Sequence, residues 1–309
     1  IIAVGFVFVF VVSFAGPAIN GAGATFPAPL YQRWFGDYAA ATGNRVNYQS
    51  VGSGAGIKQF VAGTVDFAAT DEPIKAKDGA KVKRGYVQIP MTGGTIAVAY
   101  NNPKCKLRLT QKQVVGVFQG DITDWKELGC SGGAIKVVHR SDGSGTTFAF
   151  TSSLNAFGGW KAGAAKSVNW PTGVGAKGNE GVAANILQLN GTIGYIEYAY
   201  AKSNNISVAN LINKDGNIVS PSIETFQASA QNTDWKSVYG FGVSLTNQPG
   251  MNTWPITSAT FILVHKENVN GETTKFFDWA FKNGTQQAIK LEYVPLPDSV
   301  ISLIKDSWK

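Results

Sequence analysis

Three segments of the chain share one construction: a Ser or Thr among small residues, followed at once by a helical pattern. They are GAGATFPAPLYQRW around Thr25, VGSGAGIKQFV around Ser53, and SDGSGTTFAFTS around Ser144 and Thr146. Each reads as a helix N-terminus, where the first backbone N–H groups lack intrahelical partners and the dipole is positive. A hydroxyl there either caps the helix or turns to a ligand, and neighbouring glycines let an anion approach the backbone. Taken singly, each segment is an ordinary N-cap. Converging on one cleft, the three would make an oxyanion cradle built largely from neutral donors.

Charged residues sharpen the chemistry. Arg140 ends the run AIKVVHR just before the DGSGT turn, where a guanidinium can offer bidentate hydrogen bonds to an oxyanion. Asp142 can hold that guanidinium in place, or act as a local turn or cap residue. Asp71 follows VDFAAT, and a carboxylate facing an anion repels it unless the anion carries a proton. An ionised Asp71 would accept a hydrogen bond from HPO4 or H2PO4, whereas sulfate, unprotonated at neutral pH, would leave it unpaired. The competing reading of Asp71 is a turn residue ahead of Glu72 and Pro73.

An anion cradle also suits a phosphoryl-transfer enzyme, but the usual catalytic partners are missing. His139 and His265 both lie in apolar strand-like runs and read as structural. No His/Cys/carboxylate group has metal-ligand spacing, so neither metal nor cofactor is expected. Ser53 and Ser144 fail G-x-S-x-G because Val51 and Asp142 stand two residues before them. Neither a G-x4-GK phosphate loop nor a G-x-G-x-x-G fingerprint occurs.

The elements that must position these residues alternate. Strand-like runs at 46–51, 64–69, 94–100, 134–140, 191–198 and 260–266 are separated by segments of helical periodicity such as LYQRWFGDYAAATG, IKQFVAG, FAFTSSLNAF and EGVAANILQL. The pattern predicts an α/β protein with mostly parallel sheets and ligands bound beyond the carboxyl ends of the strands. At 309 residues the chain can divide into two lobes. With no low-complexity linker, the chain would cross between lobes in the extended runs 88–100 and 254–266.

Residues 1–15 are apolar apart from Gly5 and Ser13, a run too short to span a bilayer, which takes roughly 20 residues. It reads as the remnant of a secretory signal, with cleavage after Ala15 or Ala18, or alternatively as a buried strand. Export favours a disulfide between Cys105 and Cys130, the only cysteines, over two buried thiols. The net charge of +7 is dispersed, with no basic stripe interleaved with aromatics, so a nucleic-acid partner is not expected.

The segments NGAGATFPAPLYQRW, NYQSVGSGAGIKQF, GTVDFAATDEP, HRSDGSGTTFAFTS, GTIGYIEYAYAK, WPITSATFILVHK and FFDWAFKNG resemble, in order, those of the bacterial periplasmic phosphate-binding proteins. The resemblance implies a type II periplasmic-binding-protein fold, two α/β lobes joined by a two-segment hinge that close on one phosphate. It implies lobe I at residues 19–92 plus 258–309 and lobe II at 93–257, after a leader at 1–18. The family's phosphate contacts fall on Thr25, Phe26, Ser53, Asp71, Arg140, Ser144, Gly145 and Thr146, with Phe26 and Gly145 contributing backbone N–H groups and Asp142 steadying the arginine. Implied with them are a periplasmic location, a monomer, and the membrane permease subunits of a phosphate ABC importer as partner.

Overall fold

The computed structural model describes residues 18–231, 245–269 and 271–307. The leader expected at 1–18 lies outside these residues except for Ala18.

The chain begins β1 (Ile19–Gly23), α1 (Ala28–Thr42), β2 (Val46–Ser50), α2 (Ser53–Ala62), β3 (Phe67–Thr70) and α3 (Ala76–Gly79). β1 runs between β2 and β3, parallel to both. Its sequence, INGAG, carries almost no strand signal, because its neighbours press against it. A β-carbon at Gly21 would lie 2.1 Å from the Phe67 ring, and one at Gly23 would lie 2.1 Å from the Ala69 carbonyl oxygen. α1 buries Leu30, Tyr31, Trp34, Phe35 and Tyr38 along one face. It stops at Gly43, whose left-handed φ of 76° returns its N–H to the Ala39 carbonyl.

Next comes β4 (Tyr86–Asn101), a strand of 16 residues. It is followed by β5 (Arg108–Leu109), α4 (Gln111–Gln119), β6 (Lys136–Arg140), α5 (Gly145–Phe157), β7 (Val174–Ala176), α6 (Gly178–Gln188), β8 (Thr192–Glu197) and α7 (Tyr198–Ser203). Then come β9 (Ser207–Val208), β10 (Asn210–Ile212), β11 (Ile218–Val219), α8 (Ile223–Ala230), β12 (Thr257–His265), α9 (Glu272–Asn283), α10 (Thr285–Lys290), β13 (Val294–Pro295) and α11 (Asp298–Ser307).

The main sheet has the order β2-β1-β3-β12-β4-β8-β6-β7, with β9 and β13 also on β4, while β11, β10 and β5 form a small second sheet. β4 pairs with β12 from Tyr86 to Thr95 and with β8 from Ile96 to Asn101, so this one strand belongs to both halves of the sheet. The register shifts where Pro90, which has no N–H to give, faces Phe261.

The expectation of mostly parallel strands needs correcting. Pairing is parallel where a helix crosses over, among β1, β2 and β3 and among β6, β7 and β8. It is antiparallel along β12 with β3 and β4, and along β4 with β8. The cause is chain routing, since the chain leaves the first half along β4 and returns along β12.

Each half has an aromatic core. Phe35 and Tyr38 of α1 each meet Phe276 of α9 at 5.2 Å between ring centroids. In the other half Phe150 of α5 stacks on Tyr195 of β8 at 4.2 Å. Cys105 and Cys130 form a disulfide across a sequence separation of 25. Among the described residues no helix is long and apolar enough to cross a membrane.

Candidate functional site

All the expected site residues sit at carboxyl ends of strands, as an α/β architecture requires. Thr25 and Phe26 follow β1, Ser53 follows β2, Asp71 follows β3, and Arg140 closes β6 ahead of Ser144, Gly145 and Thr146 at the start of α5. Their side chains are buried, with Ser53, Ser144 and Thr146 fully so.

The three hydroxyl segments differ in what the hydroxyl does. Ser144 caps α5, its Oγ accepting the Thr147 N–H at 3.0 Å. Ser53 does not cap α2; its Oγ accepts the Gly145 N–H at 3.1 Å and the Asp71 N–H at 3.4 Å. Thr25 stands three residues before α1, and its Oγ1 accepts from Asn179. The carbonyls beside it are held by phenols: Tyr200 Oη donates to the Thr25 carbonyl and Tyr293 Oη to the Phe26 carbonyl, both at 2.6 Å.

Ser53 thereby draws the two halves together at Asp71. The approach of α5 to Asp71 is so close that a β-carbon on Gly145 would lie 2.6 Å from both Cβ and Oδ2 of Asp71. Only glycine fits there. A backbone bond from Gly54 N to the Gly143 carbonyl at 2.7 Å tightens the same contact.

Arg140 is gripped on one edge. Its Nε donates to Asp142 Oδ1 at 2.7 Å and its Nη2 to Asp142 Oδ2 at 2.5 Å, a fork that leaves Nη1 without a hydrogen-bond partner. Asp142 also accepts the Gly178 N–H at 3.1 Å. Burial raises the Asp142 carboxyl, but its hydrogen bonds to Arg140 and the guanidinium charge outweigh this and hold it below the usual range.

Asp71 is the converse. Burial pushes its carboxyl up to about 7, against the opposing pull of the Thr260 side chain and of Arg140, and its Oδ1 has no hydrogen-bond partner. A buried donor on Arg140 and a buried acceptor on Asp71 thus both lack protein partners. That set matches a tetrahedral oxyanion carrying a proton.

The sequence reading missed several residues. Asn179, fully buried at the start of α6, bonds both Thr25 and Thr146. Its segment, AKGNEG, repeats the glycine-flanked helix opening seen at the other three, and that was the available signal. Glu72 forms ion pairs with Lys75 at 3.2 Å and with Lys166 from the other half. Glu197, fully buried at the end of β8, lies 3.0 Å from Tyr293 Oη, and burial pushes its carboxyl well up. The two histidines are stacked, His139 on Trp170 at 5.0 Å and His265 on Phe60 at 4.0 Å. Among the described residues no three His, Cys, Asp or Glu gather in a way that could hold a metal ion.

Two half-sheets sharing a strand, with polar strand ends facing each other across the junction, define the solute-binding-protein class. The PBP superfamily domain matches residues 13–283. "Phosphate-binding protein PstS" of Pasteurella multocida is 47% identical, covering 94% of this chain and 90% of the relative, and its namesake in Haemophilus influenzae is 46% identical over 94% and 92%. The chain belongs to the PstS family of phosphate-binding proteins within that superfamily. A solved structure described as a high-affinity periplasmic phosphate-binding protein bound with phosphate superposes with a TM-score of 0.79, covering 94% of each chain. At 23% identity that likeness fixes the fold alone.

Proposed function

We propose that the chain is a high-affinity receptor for inorganic phosphate that serves an ABC-type phosphate importer and carries out no catalysis. The observation that carries this reading is a pair of buried atoms without hydrogen-bond partners, the acceptor Asp71 Oδ1 and the donor Arg140 Nη1, at strand ends in the two halves of the sheet. An oxyanion with one protonated oxygen satisfies both, and an unprotonated one satisfies only the arginine. The names of the PstS relatives support phosphate as the ligand.

Thr25, Phe26, Ser53, Asp71, Arg140, Ser144, Gly145 and Thr146 form the binding set, with Asp142 aiming the arginine. Residues 19–92 with 258–309 act as lobe I and 93–257 as lobe II, hinged on β4 and β12. Phosphate enters between the lobes, donors from both sides replace its water, and closure follows because only the closed form engages both sets. The chain works in the periplasm as a monomer, after loss of its leader, and the permease recognises the closed form.

The test is to add the phosphate-loaded chain to a phosphate importer reconstituted in vesicles and follow ATP hydrolysis and phosphate uptake. Stimulation that requires both chain and phosphate is expected. An importer that ignores the loaded chain contradicts the transport role.

A further inference from the structure

Asn179 makes a hydrogen-bond pattern whose direction can be worked out atom by atom. Its Oδ1 accepts the Glu197 backbone N–H at 2.9 Å. A backbone N–H only donates, so the amide orientation is fixed and Nδ2 must face the other way. There Nδ2 lies 2.8 Å from Thr25 Oγ1 and 3.2 Å from Thr146 Oγ1, one hydrogen for each hydroxyl. The Asn179 backbone N–H also points to Thr25 Oγ1 at 3.2 Å.

A hydroxyl oxygen has two lone pairs and one proton. Two donors on Thr25 Oγ1 fill both lone pairs, so Thr25 can act towards a ligand only as a donor. Thr146 is biased the same way by one donor. Both residues are buried, at 2% and 0% exposure, and among the described residues neither hydroxyl proton has a protein acceptor. Buried polar hydrogens need acceptors, and a bound oxyanion supplies them.

We infer that Asn179 is a specificity-determining positioning residue: by donating to Thr25 and Thr146 it locks both hydroxyls as donors and so dictates which ligand oxygens must be unprotonated. The ligand's proton is then confined to the oxygen that faces Asp71. This rests on the phosphate-receptor reading and adds to it that the acceptor at Asp71 and the donors at Thr25 and Thr146 are enforced separately.

The experiment measures inorganic phosphate binding by calorimetry for the unsubstituted chain, Asn179→Ala, Asn179→Asp, the pair Thr25→Val/Thr146→Val, and that pair combined with Asn179→Ala. Asn179→Ala frees the hydroxyls to rotate and should weaken binding about tenfold, the worth of one to two ordinary hydrogen bonds. Asn179→Asp keeps the shape but places an acceptor where Nδ2 stood, drawing the hydroxyl protons away from the ligand. It should weaken binding about a hundredfold or more. A carboxylate at this position also repels the anion, so the order of the two single variants alone does not isolate the hydroxyls; the chain lacking both of them does. In the chain lacking both hydroxyls, Asn179→Ala should add almost nothing.

Asn179→Asp binding as well as Asn179→Ala, an undiminished Asn179→Ala penalty without the hydroxyls, or loss of cooperative thermal unfolding in both single variants would each overturn the proposal. If the unsubstituted chain itself ignores phosphate, the receptor reading fails and this inference falls with it. If that chain binds and the Asn179 variants match it, only the inference fails.

Discussion

Ser53 Oγ accepts the Gly145 backbone N–H at 3.1 Å and so ties the first turn of α2, in one half of the sheet, to the first turn of α5 in the other. The same oxygen takes the Asp71 N–H at 3.4 Å, so one hydroxyl holds two further residues of the proposed ligand set. Because both lone pairs of Ser53 are engaged, its own proton is directed outwards as a donor. The junction between the halves and the proposed anion site therefore share one hydrogen-bond network.

Arg140→Ala removes a buried guanidinium whose Nη1 has no hydrogen-bond partner and whose charge acts on Asp71. Losing a buried, hydrogen-bonded charge costs about 3 kcal/mol or more, so phosphate affinity should fall at least about a hundredfold in calorimetry. Thermal unfolding should remain cooperative. An unchanged affinity would remove Arg140 from the site.

In the proposed site Asp71 sets selectivity, and the effect should depend on pH. Above about 7 the carboxyl is ionised in the ligand-free chain and only accepts, which penalises sulfate. Below about 7 it is protonated and can donate to an unprotonated oxygen, so the phosphate-over-sulfate ratio should narrow between pH 8 and pH 5.5. Asp71→Asn should show the narrow ratio at both pH values. Competition binding at the two pH values checks this, and a ratio that Asp71→Asn leaves intact would contradict it.

The same carboxyl makes the ligand-free fold pH-dependent. Its folded pKa, about 7, lies above the ordinary value of 3.8, so the folded state holds the proton more tightly. Its contribution to stability is full below about pH 4 and is lost as pH rises to about 7, a swing on the order of 4 kcal/mol. Denaturant unfolding of phosphate-stripped protein at pH 5 and pH 8 should show the decline, and Asp71→Asn should flatten it.

The ion pair of Glu72 with Lys166 joins residues before β4 to residues after β6. Glu72 is 3% exposed, so the pair is screened little by solvent. Lys166→Met should speed phosphate release roughly tenfold in stopped-flow measurements while leaving the association rate nearly unchanged. A lower association rate with unaltered release would place the lysine in steering the anion instead.

The legible parts of this protein were those where local chemistry and position coincide. The helix openings at Ser53 and Ser144, the arginine with its carboxylate two residues on, and the odd acid Asp71 all follow from residue types at short spacing. β1 was not legible, because INGAG is a strand only by virtue of Phe67 and Ala69 closing over its glycines. The antiparallel run of β4 against β12 was hidden as well, since direction depends on how the chain is routed between halves. Asn179 and Lys166 act on residues far away in sequence, Thr25 at a separation of 154 in the first case, and periodicity carries no such information.

The most direct test of the account is titration calorimetry of the phosphate-stripped chain with phosphate and then with sulfate, at pH 8 and equal ionic strength. The account predicts tight one-to-one phosphate binding and no measurable sulfate binding. Sulfate binding as tight as phosphate would contradict the role of Asp71, and binding of neither would contradict the receptor itself.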